Sequence, residues 1–216
     1  MKFIKNYLFL VSLIVIMFLD PFLENFAFGG MVSLGLLSIS AILCMMVLSL
    51  DKGMQWILIF ISVVVVGLNF ILLRSPSETS SILQYLSLAI LIFLYALLLF
   101  HLMMTSETLS RQDLSNAIAI YLLIGIGFGF IYSLIEKIYP GAIVYQTRGN
   151  KDISGDMIYF SFITLTTAGF GDMLAIHKFA KIVAMTEAVT GVLYIAVTIG
   201  RLIGIRPGKK GKRIRD

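Results

Sequence analysis

Thr164-Leu165-Thr166-Thr167-Ala168-Gly169-Phe170-Gly171-Asp172 is the stretch on which the reading of this chain turns. It closes an apolar run, Met157 to Thr167, that is too short to cross a hydrocarbon core about 30 Å thick. The run is therefore expected to enter a membrane and return, as a short helix followed by a glycine-bearing ribbon. Non-helical backbone at membrane depth is tolerated only where it is buried in protein or lines a water-filled path, so the ribbon predicts a pore or cavity. Ser154 and Asp156 mark a helix start just ahead of it.

The rest of the chain supplies the membrane. Of its 216 residues 59% are apolar and 13% charged, too little polar surface to coat a water-soluble globule. Apolar runs of spanning length read as Tyr7 to Leu19, Met31 to Leu50, Met54 to Leu73, Ile82 to Met104, Ala117 to Ile138 and Phe179 to Ile205. The fold class that follows is an all-α membrane protein with six transmembrane helices and a re-entrant pore helix. An even number of crossings puts both termini in the cytoplasm. Lys2, Lys5, Lys52, Arg111, Arg201, Arg206 and the tail cations then lie inside, against fewer outside: Arg74, Lys137, Arg148, Lys151, Lys178 and Lys181. That asymmetry agrees with the positive-inside rule. Lys2 and Lys5 ahead of an apolar run resemble a secretory signal, but no small-residue cleavage site follows and a retained helix is expected. Cys44 lies in an apolar run as a lone thiol, with no partner for an internal disulfide.

The net charge of +5 is concentrated partly in Arg206-Pro207-Gly208-Lys209-Lys210-Gly211-Lys212-Arg213-Ile214-Arg215. This tail lacks aromatic interleaving and directly follows an apolar helix, so it reads as a positive-inside anchor with some attraction for anionic lipids, not as a nucleic-acid surface.

What the ribbon can do follows from ion hydration. A cation entering a narrow path must exchange water for oxygens that bind it without holding it. Backbone carbonyls of Thr167-Ala168-Gly169-Phe170-Gly171 meet that need if alternate residues take angles that turn each carbonyl to one axis, where glycine's tolerance of positive φ is needed. The Thr167 hydroxyl adds an inner oxygen, and Asp172 at the outer mouth raises the local cation concentration.

The same residues resemble the signature of potassium channels, whose four identical loops carry a TVGYG pattern. The resemblance covers about Asn116 to Ile205, and Glu187 to Val197 looks like the inner helix of bacterial two-helix-pore channels. It implies regions 1–115, four N-terminal helices without a charged voltage-sensor helix; 116–205, a pore domain of outer helix, pore helix, filter and inner helix; and 206–216, a basic cytoplasmic tail. It further implies a homotetramer in a bacterial inner membrane, with K+ held at Thr167, Ala168, Gly169 and Phe170 and no other cofactor. Tyr159, Phe160, Ile163, Thr164 and Thr166 would support the filter from the pore helix. Ala168 replaces the usual valine and Phe170 the usual tyrosine. Tyr159 and Phe160 stand where the family often has a Trp pair bonded to that tyrosine, so donor and acceptor are lost together and a repacked apolar cuff is expected. Ile163 stands where some bacterial relatives carry a buried glutamate.

On the last span, helical spacing brings Glu187, Gly191, Tyr194 and Thr198 together. A carboxylate in a span is costly, so Glu187 is expected to face protein near Thr164 or Thr166, as an anchor or, alternatively, a proton-linked gate. Gly191 resembles the family's helix-bending glycine, although close packing explains it nearly as well. Thr190, Tyr194 and Thr198 are candidates for a cavity wall. Gly125, Gly127 and Gly129 lie inside an apolar helix with no strand before them, which favours helix packing over a nucleotide loop. His101 and His177 read as interfacial residues. Ile82 to Met104 has no Arg or Lys, so steep voltage sensing is not expected. No paired acids, nucleophile constellation or metal-spaced ligands suggest an enzyme. A weakly selective cation channel and a non-conducting scaffold or regulatory subunit are the rival functions.

Overall fold

The computed structural model describes residues 2–23, 40, 52–74, 77–105, 111–145 and 156–204. Its elements are helices α1 (Lys2–Leu23), α2 (Lys52–Arg74), α3 (Glu78–Thr105) and α4 (Arg111–Ile138), strand β1 (Ile143–Tyr145), helix α5 (Met157–Leu165), strand β2 (Met173–Ala175) and helix α6 (Lys178–Gly204). The span expected from Met31 to Leu50 lies outside the described residues except for Ser40, as does the tail from 206 to 216. Among the described residues three stretches are long and apolar enough to cross a membrane: Glu78–Thr105, Asp113–Ile138 and Lys178–Gly204. Shorter apolar helical stretches, Leu8–Phe18 and Trp56–Leu72, lie in α1 and α2. Helix α5, with 9 residues, cannot span.

Helix α4 is the hub, packed against α3, α5, α1 and α6. Its most apolar window is 67% buried, against 17% for α6. Small residues permit this. A Cβ added at Gly127 would come within 3.0 Å of the Phe93 ring on α3. At Gly125 and Gly129 it would meet Phe162 at 2.7 Å and Ile158 at 2.9 Å on α5, so the glycine run serves helix packing on two sides.

Beyond α4, the Glu136 carboxylate accepts hydrogen bonds from the backbone N–H groups of Gly141 (2.5 Å) and Ile143 (3.0 Å). That collects the chain as it leaves the helix through Gly141, at φ 81°. Strands β1 and β2 pair antiparallel, with Ile143 opposite Ala175, Val144 opposite Leu174 and Tyr145 opposite Met173. The Ala142 carbonyl also accepts from the N–H groups of Ile176 (2.9 Å) and His177 (3.2 Å). His177 stacks on Tyr139, with ring centroids 4.2 Å apart. At the far end of the molecule, Arg201 Nη1 donates to the Met104 carbonyl at 2.7 Å, tying the end of α6 to the end of α3.

Candidate functional site

Helix α5 buries Met157, Ile158, Phe160, Ser161, Ile163 and Leu165. Asp156 occupies its N-cap position but makes no side-chain cap; its carboxylate instead accepts from the Tyr145 hydroxyl of β1. At the other end the ribbon is tethered to α5 through successive backbone bonds. Thr166 N–H donates to Phe162 O (3.0 Å), Thr167 N–H to Thr164 O (2.9 Å) and Gly169 N–H to Ile163 O (3.1 Å).

The ribbon alternates in handedness. Thr167, Gly169 and Gly171 have φ of 58°, 48° and 79°, while Ala168 and Phe170 between them keep negative φ. Only glycine reaches the positive region without penalty, and Thr167 is the sole other described residue there. Thr166 through Phe170 lie exposed on the single chain, and the Phe170 ring is 74% exposed. A strained ribbon bearing an open aromatic is an unusual surface for one polypeptide to present.

Asp172 closes the ribbon. Its Oδ2 accepts from the Tyr159 hydroxyl at 2.8 Å, and its Oδ1 is buried without a partner among the described residues. That hydrogen bond, with some burial and the aspartate charge, raises the Tyr159 pKa above its ordinary 10.0, so the hydroxyl remains a donor at neutral pH. The apolar cuff expected from Tyr159 and Phe160 is thus half polar: Phe160 sets its ring edge-on to Tyr132, with centroids 4.8 Å apart, whereas Tyr159 bonds the aspartate. Thr164 and Thr166 turn their hydroxyls back onto the carbonyls of Phe160 (2.8 Å) and Phe162 (2.6 Å). Ile163 is buried and contributes the carbonyl that holds Gly169.

The expected face of α6 is real: Ala180, Glu187, Gly191, Tyr194 and Thr198 are its buried residues. Glu187 is fully buried, but its partners are Tyr132 on α4, whose hydroxyl lies 2.6 Å from Oε2, and Ser161 on α5, in contact with Oε1. Neither Thr164 nor Thr166 bonds it directly: both hydroxyls turn back onto carbonyls of α5, and Thr164 also interacts with the Tyr132 side chain that donates to Glu187. A Cβ at Gly191 would stand 2.2 Å from the Leu165 carbonyl oxygen, so this glycine is required for α6 to cross the end of α5. Tyr194 donates to the Ala117 carbonyl of α4 at 2.7 Å, between the rings of Tyr121 and Phe100. Tyr194 and Thr198 are buried, Thr190 lies partly open and is bonded back to Thr186 O, and all three line grooves between α6 and its neighbouring helices.

Sequence reasoning missed Ser161, Tyr132, Glu136 and Tyr145. A signal for the first two existed: a carboxyl in a span needs donors, and the hydroxyls of the neighbouring helices were the available supply. No group of three or more His, Cys, Asp or Glu side chains that could hold a metal lies among the described residues.

Residues 132–205 match a family model described as an ion channel. The matched stretch begins at Tyr132, takes in α5, the ribbon and α6, and ends at Ile205. No curated protein and no solved structure matches the chain. The match supports an ion-channel domain built on the site described above, and with the apolar helices it supports a membrane protein.

Proposed function

We propose that this chain is one subunit of a homotetrameric potassium-selective channel, conducting K+ passively through the ribbon Thr167 to Gly171. The observation that carries this reading is the alternation of positive φ at Thr167, Gly169 and Gly171, the backbone pattern needed to turn consecutive carbonyls of a ribbon to one side. Four such ribbons around an axis would replace the hydration shell of K+ with peptide oxygens from Thr167, Ala168, Gly169 and Phe170 and the Thr167 hydroxyl. The exposed ribbon, the open Phe170 ring and the mostly uncovered apolar α6 favour a subunit completed by copies of itself. Asp172, held by Tyr159, would concentrate cations at the outer mouth.

Residues 116–205 act as the pore domain and 1–115 as an accessory region. Helix α3 carries no Lys or Arg, so no charged helix drives opening with voltage. Both termini face the cytoplasm of a bacterial inner membrane, with the basic tail against anionic lipids.

Purified full-length protein in planar bilayers under opposed K+ and Na+ gradients tests the reading. A reversal potential near that of K+ is expected. A reversal that follows both ions equally would mean a weakly selective channel, and no current at all would leave a scaffold.

A further inference from the structure

We propose that Glu187 carries a proton in the folded protein and that this proton is what ties the inner helix α6 to the back of α5. The reasoning is a count of hydrogens. Ser161 Oγ lies 2.6 Å from the Gly125 carbonyl oxygen of α4 and is also in hydrogen-bond contact with Glu187 Oε1. A serine hydroxyl has one hydrogen, and a carbonyl oxygen can only accept. That single hydrogen belongs to the Gly125 contact, so the Ser161–Glu187 contact needs a hydrogen from the carboxyl itself. Tyr132 cannot supply it, because its hydroxyl donates to the other oxygen, Oε2.

As a neutral acid Glu187 satisfies every atom of the cluster. Tyr132 donates to Oε2, Oε1 donates to Ser161, and Ser161 donates to Gly125. As a carboxylate it forces one pair of oxygens into contact with no hydrogen between them, in a site with 0% exposure where water cannot intervene. The partners that α4 and α5 bring to the carboxyl are hydroxyls and not cations, so among the described residues no contact with it compensates a charge.

Glu187 is accordingly a positioning residue. It acts through Ser161 on α5, whose Ile163 carbonyl in turn holds Gly169 of the ribbon. Its effect on permeation rests on the channel reading above; its protonation does not.

Two measurements on the full-length protein separate these. Infrared difference spectra of wild type against Glu187→Gln in lipid should contain the carbonyl stretch of a buried protonated carboxyl, and Ser161→Ala should shift that band by removing its acceptor. A carboxylate band lost in Glu187→Gln, or a protonated band indifferent to Ser161→Ala, overturns the proposal whether or not current flows. In bilayers, Glu187→Gln can donate its amide hydrogen to Ser161 and accept from Tyr132, so its K+ over Na+ permeability ratio should stay within about twofold of wild type, while Glu187→Ala lowers it roughly tenfold. Equal losses in the two variants overturn the positioning role. Absence of current in wild type would remove the channel reading and leave the infrared result standing.

Discussion

Helices α1 to α3 and the segment from α4 to α6 are both largely apolar, yet they are joined by different means. In the first region the described side-chain ties between helices join Ser62 with Tyr95, Asn69 with Ser87, and Gln84 with the Asn69 carbonyl, all of them between α2 and α3. In the second nearly every joint has its own device. Glycines let α4 and α6 approach α5, Glu136 gathers the chain after α4, Glu187 bridges three helices, and Tyr159 holds Asp172. Lipid is as apolar as a leucine side chain, so oily contact alone does not fix which helices meet or at what angle. Close glycine fits and satisfied polar groups do, and they are concentrated where an ion path demands a fixed backbone.

The sharpest way to break that contrast is one methyl group placed in each region. Gly191→Ala sets a Cβ 2.2 Å from the Leu165 carbonyl oxygen, and backbone cannot yield as a side-chain tip can. The expected cost is at or above about 3 kcal/mol, read as a large fall in thermal stability or loss of folded protein. Gly67→Ala in α2 meets nothing within 4 Å and should be neutral or stabilising by up to about 1 kcal/mol. Similar destabilisation by both would show that the two regions are packed alike.

Substituting Gly171 strikes the ribbon without touching the helices. An alanine at φ 79° costs about 1–2 kcal/mol in backbone strain, which a ribbon can relieve only by leaving the alternating form. Folded protein should be recovered while K+ over Na+ selectivity falls, measured by reversal potential. Tyr159→Phe comes next. It removes a donor from a carboxylate, worth about 1.5–3 kcal/mol where the pair is buried and less here because Tyr159 is only partly so. The Tyr159 pKa is raised in the folded state, so the contribution is fully present below the ordinary value of 10.0 and lost as pH rises through the higher folded value. Ultraviolet titration of wild type against Tyr159→Phe should place this ionisation above 10.0.

How much was legible in the sequence divides along the same line. Apolar runs located α3, α4 and α6 and marked α5 as too short, because length against bilayer thickness is a one-dimensional property. The spacing of Glu187, Gly191, Tyr194 and Thr198 identified the buried face of α6, since helical period is also local. Which partner each residue meets was not local. Glu187 was expected against Thr164 or Thr166, but those hydroxyls turn back onto carbonyls of their own helix, Thr164 reaches it only by way of Tyr132, and Tyr132 and Ser161 are the groups that bond it. The pairing of β1 with β2 rests on three residues each, too short for any period to register. Tyr159 was read as part of an apolar cuff because its role depends on where Asp172 returns in space.

The smallest effect is expected at Asn69 in α2. Its side chain is fully buried, and its amide donates to Val65 O at 2.8 Å and to Ser87 Oγ at 3.0 Å, while its Oδ1 has no hydrogen-bond partner among the described residues. Asn69→Leu deletes the helix-to-helix bond to Ser87 but also deletes that unsatisfied oxygen, and Ser87 keeps its own bond to the Gln84 carbonyl. Interhelical hydrogen bonds in membranes average about 0.6 kcal/mol, so gain and loss should nearly cancel and thermal stability should change by less than about 1 kcal/mol. A loss comparable to that of Gly191→Ala would instead place a specific polar joint at the heart of the accessory region and erase the contrast between the two parts of the chain.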